Sequence, residues 1–388
     1  MIEPMKIKSL SAKPVSVPSV RPCAWSWGTG IGCTRTIVQL ETDGGLIGLG
    51  ECEGAIPAAM LNGGAGKKLI GLSVHDLAAI RRIFRMDFRD YLSLASVDLV
   101  QAFAAVEMAI WDLRGKEAGV PVYQLLGGAA RGSAPFVAYG YSFPVEKTGL
   151  AEKDIPNTMA KFAAESVSRT GAGIFEFKVG RYSLDTDIET VLAVREAVDE
   201  KVMLAIDANM SLEVDRARRF LGAVERACLG WFEEPVASFA DMTRLRNEFA
   251  VPLSTHCLDL EKLVHYPAVE GVVGDLHLQG GLSGLMNQAA TFRAAGRRFW
   301  LRSCTELGIS WAAMVHLGMA CPDIDRASQC LIEYVEDDLV VGNTWLVRDG
   351  GVTAPDTPGL GVELDQPALN HYQEIFEKSG EFTHFDFP

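Results

Sequence analysis

From about residue 133 onward, short apolar runs alternate with amphipathic stretches of about 10–15 residues, and no other feature constrains the fold as much. The runs are PFVAYGYS, IFEFKVG, VMLAIDAN, GWFEEPV, VPLSTHC, GVVGDLHL, RRFWLRSC and QCLIEY. A short apolar run followed by a helical period is the signature of a parallel βα unit. Eight such units, spaced about 25–30 residues apart, predict an α/β chain closed into a TIM-type barrel. The alternative is an open doubly wound sheet, but no GxGxxG follows a first strand to supply its phosphate-binding turn.

The first third reads differently. Residues 5–18 and 34–50 alternate apolar and polar side chains. TRTIVQL, the turn Thr42-Asp43-Gly44-Gly45 and LIGLGE predict a strand, a turn and a strand. Residues 18–33 are rich in Gly and Pro and carry Trp25 and Trp27, which reads as a lid or as a floppy connector with the tryptophans packed beneath it. Val97, Val100, Phe103, Val106, Ile110 and Leu113 recur at helical steps. After the eighth run come the turn Asp349-Gly350-Gly351 and a short helix to about 378, a tail expected to return to the first domain. The expected boundaries are 1–130 for an α+β domain, 131–340 for the barrel and 341–388 for the tail.

The formal charge is −14. So acidic a surface argues against nucleic acid or an anionic membrane as partner. An anionic substrate would then need local positive charge or a metal. None of the eight cysteines forms a CxxC pair, no run resembles a signal peptide, and none approaches a membrane span. A cytoplasmic protein with reduced thiols is expected.

In a TIM-type barrel the chemistry lies at the C-terminal strand ends. Those ends carry Glu176 and Lys178, Asp207 and Asn209, Glu233 and Glu234, His256 and Cys257, Asp275 and His277, Arg302 and Cys304, and Glu333. Carboxylates from neighbouring strands repel unless a cation lies between them. Asp207 and Glu233 are hard oxygen ligands suited to Mg²⁺. His256 is a less usual third ligand for a hard ion and leaves Mn²⁺ or Fe²⁺ open. A lysine facing such a cation would have its pKa lowered, which makes Lys178 a usable general base.

With these residues in place, the chain resembles the enolase superfamily, in its mandelate racemase and glucarate dehydratase branch. The segment from Ala105 through Glu107, Trp111 and Asp112 to Leu113, followed by Gly115-Lys116, Gly119-Val120-Pro121-Val122-Tyr123 and Leu125-Leu126-Gly127-Gly128, resembles that family's capping-to-barrel helix. Pro358-Gly359-Leu360-Gly361-Val362-Glu363 resembles its C-terminal signature. The resemblance implies a modified (β/α)7β barrel, with an α+β capping domain completed by the C-terminal tail. It also implies a shared first step, in which a base removes the proton α to a metal-bound carboxylate and an enediolate forms. By that resemblance Lys178 is the base, Asp207 and Glu233 hold the metal, Asn209 positions lysine or substrate, and the lid with Trp25 and the loop near Glu51 to Gly54 set specificity. It implies a homo-oligomer, dimer to octamer, with a small carboxylate as substrate.

Three departures from the family pattern shape the expected chemistry. Glu176 stands where the family has a second lysine; it pairs with Lys178 or with a neighbouring strand. The third metal position falls on His256, or on Cys257 after a one-residue shift. Arg302 occupies the place of the strand-seven histidine, and its partner is expected to be Asp275. Arginine stays protonated, so it can bind a carboxylate or a leaving hydroxyl but is no routine proton donor. A racemase with two opposed bases is therefore disfavoured. The expected activity is dehydration of a sugar acid or related hydroxy acid to a 2-keto-3-deoxy acid, with Glu333 near the metal-bound carboxylate, directly or through water. The alternatives are another isomerase or lyase of the superfamily, such as a cycloisomerase or epimerase, and a member that has lost catalysis.

Overall fold

The computed structural model of the chain describes residues 5–86, 97–342 and 345–382. The first third is built on an antiparallel sheet, β1 (Ile7–Trp25), β2 (Gly28–Thr42) and β3 (Ile47–Glu53). Helix α1 (Val97–Ala118) lies against β3. Two glycines make that approach possible. A Cβ on Gly50 would sit 1.9 Å from the Ala105 carbonyl oxygen, and one on Gly48 would sit 2.3 Å from that of Ala109.

The barrel strands are β4 (Ala138–Gly140), β5 (Ile174–Lys178), β6 (Met203–Asp207), β7 (Trp231–Glu233), β8 (Leu253–Thr255), β9 (Val269–Gly274) and β10 (Arg298–Leu301). They pair in sequence order, all parallel. Between them run α2 (Ile155–Thr170), α3 (Leu184–Ala197), α4 (Val214–Val224), α5 (Phe239–Glu248), α6 (Leu260–His265) and α7 (Gly281–Ala294). The next helix, α8 (Gly308–Ala320), is buried along its whole length. No helix among the described residues is long and apolar enough to cross a membrane.

The eighth strand differs from expectation. The seam between β10 and β4 is bridged by Ser328 and Gln329. Val137 N donates to Ser328 O (2.9 Å), and Gln329 N donates to Leu301 O (2.9 Å). Ile332–Tyr334 is a 3-10 turn instead. The run QCLIEY is apolar because Cys330, Leu331, Ile332 and Tyr334 are all buried, not because it extends. Residues 18–33 also differ from expectation. They are no connector: β1 and β2 run through them as a hairpin whose tip is Ser26-Trp27, with a register shift between Pro18 and Cys23.

Buried carboxylates join the layers. Glu107 of α1 accepts Leu282 N (2.9 Å) and Ser283 N (3.1 Å) at the start of α7, where the free N–H groups and helix dipole favour negative charge. Asp112 accepts Leu49 N (2.9 Å) and Leu360 N (2.8 Å), tying β3 and the C-terminal signature to the same helix. Helix α9 (Gln366–Ser379) packs on β1, and Ser16 Oγ donates to Gly380 O (2.8 Å) just beyond its end.

His316 of α8 makes this packing sensitive to acid. Its Nδ1 accepts Tyr123 N (3.2 Å), and its Nε2 lies 3.1 Å from Leu360 O. Burial pushes the ring's pKa down to about 4. The unfolded chain therefore binds a proton here that the fold refuses. This contribution is intact above about pH 6.5 and is lost as pH falls towards 4, about 3 kcal/mol in all. Denaturation midpoints between pH 8 and 4.5 are expected to fall more steeply for the native chain than for His316→Gln. Parallel profiles would contradict this.

Candidate active site

Adjacent parallel strands place Lys178 beside Asp207 and Asp207 beside Glu233 in register, so three charged groups reach the same end of the barrel in one row. His256 follows one residue after β8. Lys178 Nζ is ion-paired with Asp207 Oδ2. Asn209 N and Nδ2 donate to the two Asp207 oxygens at 2.7 and 3.0 Å. Asn209 and Met210 adopt left-handed backbone, at φ 48° and 62°, and Met210 N donates to Glu234 O at 2.6 Å.

Asp207, Glu233 and His256 each offer a ligand atom, and these atoms all lie within 4.8 Å of one another. Among the described residues this is the one such group, and it takes His256 and not Cys257. His256 Nε2 lies 2.9 Å from Glu233 Oε1, yet Glu233 Oε1 has no hydrogen-bond partner among the described residues. Two fully buried carboxylates with an orphaned oxygen facing an imidazole nitrogen are a donor set that fits a divalent cation. Burial works against the Lys178 ammonium, but Asp207 and Glu233 more than offset it and hold the amine's pKa above its ordinary value. The same balance, with Glu233 as the partner, raises His256.

Glu176 does not pair with Lys178. Its Oε1 accepts Gln329 Nε2 (2.6 Å) from the seam between β10 and β4. Burial, with the charges of Glu233 and Asp207, pushes its pKa well above the ordinary carboxylate value.

Asp275 and Arg302 form an ion pair through Arg302 Nε. Burial alone would raise the Asp275 carboxyl, but the guanidinium and the N–H groups of His277 (2.7 Å) and Leu278 (2.8 Å) hold it well below the usual range. His277 is structural. It touches Ser310 Oγ (2.8 Å) and Arg35 (3.3 Å), and burial beside Arg35 lowers its pKa to about 3.

Of these residues, Lys178, Asn209, His256, Asp275 and Arg302 line a cavity of about 1020 Å³. Trp25 and Trp27 reach it from the hairpin tip, which is fastened to the barrel mouth. Ser26 Oγ donates to Ala208 O (2.8 Å), Trp27 Nε1 donates to Asn209 O, and Arg181 Nη1 donates to Trp25 O (3.0 Å). The cavity also receives Glu53 from the end of β3 and Gln329 from the seam. Sequence reasoning placed Glu53 only within a loop, Glu51 to Gly54, expected to set specificity, and gave Gln329 no role. The signal for Glu53 was weak: a carboxylate two residues beyond the end of the predicted strand at Glu51.

Glu333 is not in this cavity. It lies in the 3-10 turn, where alternation no longer aims it inward, and it pairs with Arg169 at 2.6 Å. The expectation that it contacts substrate is corrected accordingly.

Residues 9–127 match the N-terminal domain of the mandelate racemase/muconate lactonizing enzyme family, and residues 158–368 match its enolase C-terminal domain-like partner. The chain is 30% identical over 363 residues to a probable glucarate dehydratase of Streptomyces coelicolor, covering 86% of this chain and 83% of that one. It is 26% identical to muconate cycloisomerase 1-1 of Acinetobacter lwoffii, over 92% of this chain and 94% of that one. A Pseudomonas fluorescens enolase crystallised with magnesium, potassium and tartrate superposes with a TM-score of 0.89 at 26% identity, covering 99% and 96% of the two chains.

Proposed function

The chain belongs to the mandelate racemase/muconate lactonizing enzyme family of the enolase superfamily and is a metal-dependent lyase, and from that premise we propose that it dehydrates a sugar acid or related hydroxy acid to a 2-keto-3-deoxy acid. The observation that carries this reading is the row of Lys178, Asp207 and Glu233, with His256 completing the ligand set at its side.

Asp207, Glu233 and His256 are the residues that would hold Mg²⁺, and the imidazole also accommodates Mn²⁺. Bound there, the cation supplies Lewis-acid polarisation of the substrate carboxylate and the positive charge that lets Lys178 serve as a neutral amine. Lys178 Nζ takes the proton α to the carboxylate and returns it to the departing β-hydroxyl, so water leaves and no proton is stored on the protein. Asn209, bonded to Asp207, keeps lysine and substrate aligned. Arg302, held by Asp275, donates to the substrate hydroxyl and steadies charge as the C–O bond breaks. Because Arg302 cannot act as an opposed base, one-base elimination is favoured over racemisation. Trp25 and the docked hairpin keep water out.

The same reading divides the chain into a capping domain (1–130), a barrel (131–340) and a returning C-terminal segment (341–388). It places the enzyme in the cytoplasm as a homo-oligomer acting on a small carboxylate, with neither nucleic acid nor membrane as partner. The packing of α9 on β1 and the acidic net charge support it.

The test is product formation. Magnesium-loaded protein incubated with mono- and diacid sugars and other hydroxy acids is expected to give keto-acid signals by NMR. Those signals should vanish with chelator and return with Mg²⁺. A product of unchanged mass would point instead to an isomerase.

A further inference from the structure

The polar side chains of the cavity are unevenly placed. Several of them are engaged with one another or with neighbouring groups. Thr255 Oγ1 donates to Glu234 (2.8 Å), Ser303 Oγ donates to Glu306, Gln329 joins Glu176 to Ser303 N, and Gln279 Oε1 accepts Asp275 N. Polar groups left for a ligand include the row at Lys178, Arg302, the tyrosine hydroxyls of Tyr139 and Tyr141, Ser19 Oγ, Asn209 Oδ1 and Glu53. Glu53 has no hydrogen bond or ion pair among the described residues, and burial raises its pKa against the pull of Arg302.

The apolar part of the lining includes Trp25 and Trp27 of the docked hairpin tip with Phe239, Leu258 and Leu278. The indole N–H of Trp27 is spent on Asn209 O. Lys262 is exposed at the rim with its ammonium 4.3 Å from the Phe239 ring centre. A hydroxyl carried into such walls loses its water partners and gains none, whereas apolar carbons gain by leaving water.

Resting on the dehydratase reading above, we infer that the substrate is a 2,3-dihydroxy acid whose skeleton beyond C3 is apolar, and not a polyhydroxylated sugar acid. Its carboxylate and C2 hydroxyl face the row at Lys178. Its C3 hydroxyl faces Arg302 and Glu53. Its tail lies between Trp25, Phe239 and Leu258. Loss of the C2 hydrogen and the C3 hydroxyl as water leaves an enol, which takes a proton at C3 to give the 2-keto acid with the same tail.

The experiment compares 2,3-dihydroxy-3-phenylpropanoate, gluconate and glucarate on the magnesium-loaded full chain. Turnover is followed by NMR and binding by tryptophan fluorescence. The phenyl acid is expected to have a kcat/KM roughly tenfold or more above either sugar acid, and Leu258→Ser and Phe239→Ala are expected to shrink that preference. Preference for gluconate would overturn the inference, and preference for glucarate would do so by pointing to Lys262 as a carboxylate site. If no acid turns over, the dehydratase reading fails while binding still decides. Tighter binding of the phenyl acid upholds an apolar ligand, and tighter sugar-acid binding or no binding overturns it.

Discussion

Lys178→Ala is expected to lower turnover by roughly 10²–10⁴-fold, the usual scale for removing a positioned general base. Lys178 is the amine in the row that also carries the metal ligands Asp207 and Glu233. The same substitution is expected to tighten divalent metal binding, because the ammonium paired with Asp207 Oδ2 no longer competes for that carboxylate. Loss of activity with stronger metal binding separates a missing base from a collapsed site. Lys178→Arg should restore the charge but not the rate, since a guanidinium does not give up its proton. Product NMR and a Mn²⁺ titration followed by electron paramagnetic resonance check both halves. Equal loss of metal binding and activity would contradict the assignment.

Arg35→Ala is expected to cost about 3–5 kcal/mol of stability, the penalty for breaking a buried ion pair from one side. The Arg35 and Glu51 side chains have 0% exposure and meet at 2.8 Å. Glu51 also accepts Leu307 N (2.9 Å) and Ser310 N (2.8 Å) at the start of α8, while Arg35 reaches His277 and Cys304 O. The pair thus fastens β2 and β3 to the loop that presents Arg302, and activity should fall with stability. The double variant Arg35→Met, Glu51→Leu should recover much of the stability, because it leaves no buried charge unpaired. Urea denaturation measures both. A loss under about 1 kcal/mol for Arg35→Ala would mean that the two layers are held by apolar packing alone.

Much of this architecture can be read from the sequence because period and position carry it. Alternating apolar runs with helical spacers give parallel strands, and parallel strands deliver their last residues to one end, which is why Lys178, Asp207, Glu233 and His256 could be named together. Where local pattern has no bearing, the reading fails. QCLIEY is buried but for Glu333, and an apolar run alone does not separate a strand from a short turn. Residues 18–33 look like a loop from their Gly and Pro content, yet pairing between β1 and β2 and hydrogen bonds to Ala208 and Asn209 hold them extended. The roles of Glu107, Asp112 and Glu176 depend on partners 175, 248 and 153 residues away. In sequence, a buried carboxylate capping a distant helix looks the same as any acidic residue on a helix face.

The most direct test of the central claim is deuterium wash-in at the carbon α to the carboxylate. The magnesium-loaded native chain and Lys178→Ala would be incubated in D₂O with each hydroxy acid that binds. The account predicts α-deuteration, alone or with keto-acid formation, in the native chain and its loss in the variant. Turnover without α-deuterium exchange or α-proton loss, or exchange that survives in Lys178→Ala, would contradict it.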